Sequence, residues 1–310
     1  MAKGKVILTG GCGFIGSNIA RQLIESGYDV IVIDDLSTGK HENIVDIDDQ
    51  LEYIQGDIND REVLDRAMEG AEYIIHQAAI PSVPRSVRDP VRSNRANVDG
   101  TLNVLNAAKD HDIEKVVYAS SSSVYGDTPT LPKVEDMKPN PKSPYAVSKL
   151  TGEYYCRVFS EVYDLKTACL RYFNVFGPRQ DPKSQYAAVI PKFITSIMND
   201  ESPTIYGDGE QSRDFTFVKD VVKANILAME SKNEGIFNIS RGDRITINQL
   251  VDMINDIIGK DVKAVNTDPR PGDIKHSLSD ISLAKEKIGY EPDYDLDTAL
   301  NETVDWYRKK

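Results

Sequence analysis

The chain has 310 residues, of which 40% are hydrophobic and 28% are charged, and its formal net charge at pH 7 is −12. These values are ordinary for a water-soluble globular protein with one large domain or two interlocked ones. The negative charge, without any markedly basic stretch, excludes nucleic acid as an expected partner, because phosphate backbones recruit clustered lysine and arginine.

The cysteines and the apolar runs indicate a cytoplasmic protein. Cys12, Cys156 and Cys169 are odd in number and form no CxxC motif, so neither a disulfide framework nor a metal site is expected. The N-terminus lacks the apolar core of a signal peptide. No run approaches the ~20 apolar residues of a membrane span, so no membrane partner is predicted.

Apolar runs alternate with helical patterns through the first half of the chain. This alternation predicts an α/β fold, a Rossmann-type doubly wound parallel sheet with helices on both faces. The predicted strands are Lys5–Thr9, Asp29–Asp34, Leu51–Gln55, Tyr73–Gln77, Lys115–Ser120 and Thr167–Tyr172. The predicted helices are Ile15–Ser26, Arg61–Met68, Val98–Asp110 and Tyr145–Tyr163.

After Phe173 the alternation stops, and loops rich in proline, glycine and aspartate separate shorter helices. This half predicts a smaller mixed α/β lobe set on the sheet. Because a segment near 214–239 could return to the sheet, the predicted sheet domain is 1–173 with about 214–239, and the lobe is 174–213 with about 240–310. The predicted helices here are Ala187–Asn199, Val218–Ser231, Thr246–Ile258 and Leu296–Tyr307.

A glycine-rich turn joins the first strand to the first helix. Gly10, Gly13 and Gly16 are spaced GxxGxxG, and glycine there lets a pyrophosphate approach the helix N-terminus. Asp34 ends the second strand, 21 residues after Gly13, where a carboxylate can accept the hydroxyls of an adenosine ribose. Because a carboxylate would repel a 2′-phosphate, this pattern predicts NAD as the cofactor and not NADP.

Two further acids follow strand ends. Asp35 stands next to Asp34 and is equally typical of a ribose contact and of a turn. Asp57 follows the third strand, at the edge of the sheet where an adenine would lie. Its carboxylate can accept from the adenine amino group or cap the next helix. Both alternatives stay open for each residue.

Tyr145 and Lys149 stand four residues apart at the start of a predicted helix, and that spacing places them on one face. A free tyrosine has a pKa of about 10, and bringing it to about 7 needs roughly 4 kcal/mol of differential stabilisation. An adjacent ammonium and a cationic nicotinamide ring would both favour the phenolate. The pair is therefore a candidate proton acceptor with its activating cation.

A serine run, Ser120–Ser123, ends the strand that precedes this helix. Open α/β sheets bind their ligands at the carboxyl ends of the strands, so a serine here can hydrogen-bond a substrate oxygen. The alternative is that these serines only hydrogen-bond nearby backbone and so stabilise a turn.

Together, the glycine turn with its acid, the serine run and the tyrosine–lysine pair resemble the extended short-chain dehydrogenase/reductases over nearly the whole chain. Two segments narrow the resemblance to the UDP-N-acetylglucosamine and UDP-glucose 4-epimerases. They are RYFNVFGPRQ at 171–180 and YAAVIPKF at 186–193.

By that resemblance Ser121, Tyr145 and Lys149 form the catalytic centre. The implied NAD contacts are Gly10, Gly13, Phe14, Ile15, Gly16, Asp34, Asp35, Asp57, Ile58, Gln77, Ala78, Ala79, Asn97, Tyr145 and Lys149. The implied contacts with the UDP-sugar are Ser82, Ser121, Ser122, Ser123, Tyr145, Asn174, Ala188, Val189, Phe193, Arg213, Arg270, Asp273 and Ser277. A helix N-cap is the equal alternative for Asn97, and His76 is interpreted as a packed core residue.

Arginines in loops are the expected counter-ions of a diphosphate, because guanidinium groups hold phosphates in a bidentate fork. Arg213 and Arg270 stand in loops that resemble the UDP-binding loops of the family, and a surface ion pair is the alternative for either. The resemblance places Asn174 at the diphosphate or sugar, Val189 and Phe193 at the uracil, and Asp273 at the ribose.

The residues before the Val-Tyr-Gly motif favour epimerisation. Related 4,6-dehydratases and decarboxylases carry a carboxylate there, where this chain has Ser122 and Ser123. The resemblance therefore implies transient oxidation at sugar C4 by a tightly held NAD. The alternatives are a UDP-glucose 4-epimerase restricted to non-acetylated sugars, another nucleotide-sugar enzyme such as a uronate 4-epimerase or a 4,6-dehydratase, and a non-catalytic NAD-binding scaffold.

Position 277 bears on the choice of sugar. Members restricted to glucose and galactose tend to carry a tyrosine seven residues after the loop arginine, and here that position after Arg270 is Ser277. A serine leaves room for an acetamido group, which predicts UDP-GlcNAc and UDP-GalNAc as substrates and UDP-glucose and UDP-galactose as additional ones. That Ser277 simply begins a turn is the alternative.

The resemblance also implies a homodimer. In relatives, the helices matching Val98–Asp110 and Tyr145–Tyr163 pack against their copies as a four-helix bundle. The candidate apolar contacts are Leu102, Leu105, Val158 and Phe159, and the core beneath the sheet is the alternative for each of them.

Overall fold

The computed structural model of the protein describes residues 3–182, 189–269 and 275–310. The strands are β1 (Lys5–Thr9), β2 (Asp29–Asp34), β3 (Glu52–Gln55), β4 (Tyr73–His76), β5 (Lys115–Ser121), β6 (Lys166–Tyr172), β7 (Val175–Phe176), β8 (Thr204–Tyr206), β9 (Ser212–Arg213), β10 (Thr216–Phe217), β11 (Gly235–Ile239), β12 (Ile245–Thr246) and β13 (Val265–Thr267). The helices are α1 (Phe14–Glu25), α2 (Arg61–Met68), α3 (Val83–Arg88), α4 (Pro90–Asn94), α5 (Gly100–Asp110), α6 (Pro144–Tyr163), α7 (Val189–Met198), α8 (Val218–Glu230), α9 (Ile247–Ile258), α10 (Ser282–Ile288) and α11 (Leu296–Arg308).

Seven parallel strands form the central sheet in the order β3-β2-β1-β4-β5-β6-β11. The strand order reverses between β1 and β4. In a doubly wound sheet, the crevice at the carboxyl ends of the strands beside such a reversal is where a dinucleotide binds. The Rossmann-type α/β fold predicted from the sequence is confirmed, and the remaining strands form small two-stranded sheets beside it.

The strands are apolar on both sides because helices cover both faces of the sheet. Val6 and Leu8 of β1 pack in a cluster with residues of α1 and α8. Ile7, between them, packs on the opposite face with residues of α2, α5 and α6. A third apolar cluster joins α7, α9 and α11 in the second half of the chain. Among the described residues, no helix combines the length and apolarity needed to cross a membrane.

The observed elements follow the predicted ones closely in the first half. Each of the six predicted strands occurs with its ends within one residue of the prediction. The short helices α3, α4 and α10 were missed, because a helix of about two turns shows too few periods for its pattern to be detected. The segment that the sequence left open contributes β11, which pairs with β6 at the edge of the sheet. The division into two domains stays a prediction.

The four residues predicted for the dimer contact differ in how exposed they are. Leu105 and Phe159 are buried in the core beneath the sheet, and Leu102 packs against the same core. Only Val158 of the four candidates is exposed. The exposed apolar residues of α6 are Val147, Tyr154, Val158, Val162 and Tyr163.

Candidate active site

The turn between β1 and α1 is shaped for close approach by a ligand. Gly13 is the N-cap of α1 and has no side chain to cap the helix, so the first N–H groups stay open to an anion. A Cβ on Gly16 would lie 2.2 Å from the carbonyl oxygen of Gly10. No residue with a side chain fits there without moving the turn. The glycine spacing therefore has a steric cause in this structure.

Asp34 is fixed at the carboxyl end of β2. One carboxylate oxygen accepts the N–H of Cys12 at 2.9 Å, and the other accepts the N–H of Leu36 at 2.8 Å. Each oxygen keeps lone-pair capacity for a ribose hydroxyl. Burial raises the pKa of Asp34, and the two backbone donors oppose that rise. The glycine turn and this held carboxylate fit the pyrophosphate and adenosine ribose of NAD.

The two further acids lie in turns. Asp35 is exposed and accepts the N–H of Ser37 at 2.9 Å. Asp57 accepts the N–H of Asn59 at 2.9 Å. The N-cap of α2 is Asp60, so the helix-cap alternative for Asp57 is wrong. The adenine contact of Asp57 stays a prediction.

Residues after β4 line the other side of the crevice. The side chain of Gln77 donates to Tyr172 and Asn225, and its backbone N–H donates to the carbonyl oxygen of Thr9 at 3.1 Å. The backbone of Ala78 approaches the glycine turn, since a Cβ on Gly10 would lie 2.7 Å from its nitrogen. His76 is buried between Thr9 and Thr101 hydroxyls. Burial lowers its pKa to about 3, as befits the packed core residue that was predicted.

Asn97 lies within a π-helical segment, Arg95–Asp99, that precedes α5. Its side chain is buried, accepts the N–H of Ile80 at 2.8 Å and donates to the Ser148 hydroxyl at 3.0 Å. The helix N-cap alternative for Asn97 is therefore wrong. The side chain ties the loop after β4 to the helix that carries Tyr145. Ser82, in that same loop, caps α3.

The predicted catalytic trio comes together where β5 meets α6. Ser121 is the last residue of β5, and Tyr145 is in the first turn of α6. Ser121 lies near enough to the Tyr145 phenol to lower the pKa of that phenol. The Ser123 hydroxyl donates to the Ser121 Oγ at 2.9 Å, and its N–H donates at 3.2 Å. Ser123 thus orients Ser121 within the serine run.

Lys149 is buried one turn after Tyr145. Its Nζ donates to the carbonyl oxygen of Ala119 at 2.7 Å and lies 5.0 Å from the centroid of the Tyr118 ring. Such close packing of α6 on β5 requires Gly152, because a Cβ there would lie 2.2 Å from the Tyr118 hydroxyl. Burial lowers the pKa of Lys149 to about 8.

The pKa of Tyr145 shows what the site still needs for proton transfer. Burial raises it above its ordinary value, and the hydrogen bond with Ser121 works in the opposite direction. A phenolate at neutral pH therefore requires a positive charge close to the ring. Lys149 and the cationic nicotinamide ring are the two groups expected to supply it.

A cavity of about 470 Å³ lies within the second half of the chain, walled by residues between Asn174 and Ile247, and its volume is within the range of small-molecule sites. Four of the predicted UDP-sugar contacts line it: Asn174, Val189, Phe193 and Arg213. Sequence reasoning missed several other polar and aromatic residues of its wall, among them Lys192, Tyr206, Gln211 and Phe215. The Gly-Asp-Gly sequence after Tyr206 was an available signal, because it marks a loop and loops often carry binding residues.

Ser277 is held beside the loop that carries Arg213. Its N–H donates to the carbonyl oxygen of Ser212 at 3.0 Å. The Asn174 side chain lies 3.4 Å from the Ser277 hydroxyl and also donates to the carbonyl oxygen of Asp214. Ser277 is thus in contact with Asn174, a residue of the cavity wall, without lining the cavity itself. The predicted contacts Ala188, Arg270 and Asp273 lie outside the described residues.

Comparison with known proteins gives consistent matches. Residues 6–240 match the model of the NAD dependent epimerase/dehydratase family. A UDP-N-acetylglucosamine 4-epimerase from Methanobrevibacter ruminantium, solved with UDP-N-acetylmuramic acid, is 48% identical over 100% of this chain and 99% of its own, with a TM-score of 0.96. A Thermotoga maritima UDP-glucose 4-epimerase with UDP-glucose is 40% identical over 98% and 99%, with a TM-score of 0.94. A Thermus thermophilus UDP-glucose 4-epimerase with NAD is 36% identical over 98% and 99%, with a TM-score of 0.90.

Proposed function

The chain belongs to the NAD-dependent epimerase/dehydratase family, as an NAD-dependent UDP-sugar 4-epimerase, and on that premise we propose that it interconverts UDP-GlcNAc and UDP-GalNAc. The observation that carries the proposal is the meeting of Ser121, Tyr145 and Lys149 where β5 joins α6, with Lys149 held by the Ala119 carbonyl oxygen. The cavity walled by Asn174 and Arg213 offers a separate place for the nucleotide. In this proposal residues 1–173 and about 214–239 hold NAD, and the rest of the chain holds the nucleotide sugar.

The reaction requires two things of the protein's own residues: transfer of one proton and anchoring of the nucleotide. NAD, when bound, accepts a hydride from C4 of the sugar and returns it. Tyr145, as phenolate, removes the proton of the 4-hydroxyl and later gives it back, while Ser121 hydrogen-bonds the same oxygen. Arg213 and Arg270 keep the diphosphate anchored while the 4-keto sugar turns to present its other face.

Two features support the N-acetylated pair as substrates. Ser277 is small and stands beside Asn174, where a larger side chain would occupy the space of a 2-acetamido group. The relative with 48% identity is itself a UDP-N-acetylglucosamine 4-epimerase. Because the relative with 40% identity acts on UDP-glucose, UDP-glucose and UDP-galactose are proposed as additional substrates.

The test is to incubate the protein separately with UDP-GlcNAc, UDP-glucose and UDP-glucuronate and to resolve the products by NMR. We expect UDP-GalNAc from the first, some UDP-galactose from the second and nothing from the third. Product from UDP-glucuronate alone would identify a uronate epimerase. Net accumulation of a 4-keto-6-deoxy sugar would identify a dehydratase. Either result would contradict the proposal.

Purified protein is expected to carry NAD. Gly10 and Gly16 admit the pyrophosphate, the Asp34 carboxylate repels a 2′-phosphate, and a cycle that restores the cofactor has no need to exchange it. Denatured protein should release about one NAD per chain, measured by an enzymatic NAD assay on the supernatant. Release of NADP, or a strict requirement for added NADPH, would contradict the role of Asp34.

A homodimer formed through the exposed face of α6 is also expected. Val158 and Val162 are 40% and 64% exposed on that helix, and burying them against a second copy would remove apolar surface from water. Sedimentation at micromolar concentration should give the mass of two chains. Val158→Glu with Val162→Glu should give monomers, whereas Val265→Glu, at an exposed valine of β13, should leave the dimer intact. A monomeric wild type would refute the interface.

A further inference from the structure

A buried ion pair lies one helical turn beyond the predicted catalytic lysine. Arg171 of β6 and Glu153 of α6 are 2% and 1% exposed, and Arg171 Nη2 lies 2.7 Å from Glu153 Oε2. Arg171 Nε donates to the other carboxylate oxygen at 2.8 Å. Removing both charges from water is unfavourable, and a well-packed apolar pair of similar volume is often at least as stable. A contribution to stability is therefore not enough to explain why this charged pair is buried here.

The pair is connected to the start of the serine run. The Ser120 hydroxyl donates to Glu153 Oε1, and Ser120 is the strand residue next to Ser121. Glu153 follows Lys149 by one turn of the same helix, so the two side chains share a face of α6. One carboxylate therefore links the strand that ends in Ser121 to the helix that carries Tyr145 and Lys149.

The pair also supports the far end of the serine run. Ser122–Tyr125 forms a short 3₁₀ turn that ends in a buried tyrosine. The guanidinium carbon of Arg171 lies 4.6 Å from the centroid of the Tyr125 ring, and the Tyr125 hydroxyl donates to Asn238 at 2.7 Å. The segment with Ser121, Ser122 and Ser123 is thus held at both ends by the same two charged residues.

We propose that Glu153 and Arg171 are positioning residues that fix Ser121–Ser123 relative to Tyr145 and Lys149 and thereby set the rate of proton transfer at the sugar 4-hydroxyl. The inference rests on the proposed function, because it assumes the roles given to Ser121 and Tyr145. Neither charged residue acts on the reacting atoms directly. A displacement of about 1 Å at reacting groups can lower a rate by about 100-fold, so a rigid support has a large effect.

The first test cuts the link to the serine run and keeps the ion pair. Ser120→Ala removes the hydroxyl that donates to Glu153. We expect kcat to fall about 10-fold, while KM for UDP-GlcNAc, NAD content and Tm stay at wild-type values. Ser160→Ala is the matched control, because the Ser160 hydroxyl donates to the carbonyl oxygen of Leu165 at the far end of α6. The kcat of this control should not change. A Ser120→Ala enzyme with kcat within about twofold of wild type would overturn the proposal.

The second test replaces the pair itself. Glu153→Leu with Arg171→Met removes both charges, so Tm should stay near that of the wild type, yet kcat should remain at least about 10-fold lower. The same exchange at an exposed pair, Lys219→Met with Glu302→Leu, whose atoms are 2.6 Å apart, should leave kcat unchanged. Full activity in the folded double variant would refute positioning, and if that variant does not fold, Ser120→Ala decides. Wild-type inactivity on every UDP-sugar would refute the proposed function. An active wild type with fully active variants would refute the positioning role alone.

Discussion

Tyr145→Phe is expected to lower kcat by about 10²–10⁴-fold, the usual contribution of a positioned proton-transfer group. The phenylalanine ring keeps the packing of the first turn of α6 but has no hydroxyl to exchange a proton or to bond Ser121. Because nothing in the nucleotide cavity changes, KM should stay within about twofold of the wild-type value. Initial rates with UDP-GlcNAc, followed by a coupled or NMR assay, measure both constants.

Two controls accompany this variant. Tyr155→Phe removes a phenolic oxygen ten residues further along α6, away from the serine run, and should turn over like the wild type. Ser121→Ala should also lower kcat, but less than Tyr145→Phe does, because it removes one hydrogen bond and leaves the proton acceptor in place. If Tyr145→Phe kept more than about a tenth of the wild-type rate, the phenolate role would be wrong.

The second large effect is expected from Ser277→Tyr. The serine lies beside the Asn174 side chain, and a phenol ring there would overlap the 2-acetamido group of a bound sugar. We expect kcat/KM for UDP-GlcNAc to fall by at least about 10-fold while kcat/KM for UDP-glucose changes little. Measuring both substrates on the same enzyme preparation gives the ratio directly.

Ser277→Ala is the matched control for this substitution. It removes the hydroxyl near Asn174 without adding volume, so the ratio of the two kcat/KM values should stay close to that of the wild type. Equal losses on both sugars in Ser277→Tyr would mean that the ring disturbs the neighbouring Ser212–Arg213 strand and not the sugar pocket. That outcome would refute the proposal that the size of residue 277 selects the sugar.

The sheet could be predicted from the sequence because each strand is marked by a short apolar run among neighbouring residues. Lys5–Thr9 and Asp29–Asp34 are short apolar runs bounded by glycine and acidic residues, and the structure ends both strands at the predicted residues. The π-helical segment Arg95–Asp99 could not be predicted, because it depends on the buried Asn97 bonding Ile80 and Ser148. Contacts between residues so far apart in the chain leave no periodic trace in the sequence.

The candidate site was predictable where it follows strand ends and poorly predictable where it depends on packing. Asp34 and Ser121 end strands at the crevice, as the pattern indicated. Leu105 and Phe159 were offered as dimer contacts and instead lie in the core, because apolar spacing on a helix does not tell which face meets the sheet. Glu153 and Arg171 were not singled out, since a sequence gives no sign that two charged residues will be buried together.

A ¹H NMR time course of UDP-GlcNAc with the purified protein in D₂O, with no cofactor added, follows both epimerisation and the fate of the C4 hydrogen. If Tyr145 moves only the hydroxyl proton and the C4 hydrogen never enters solvent, UDP-GalNAc should appear with its H4 signal at full intensity. The mixture should reach the same composition from UDP-GalNAc. Absence of UDP-GalNAc, or its formation with deuterium at C4, would contradict the account.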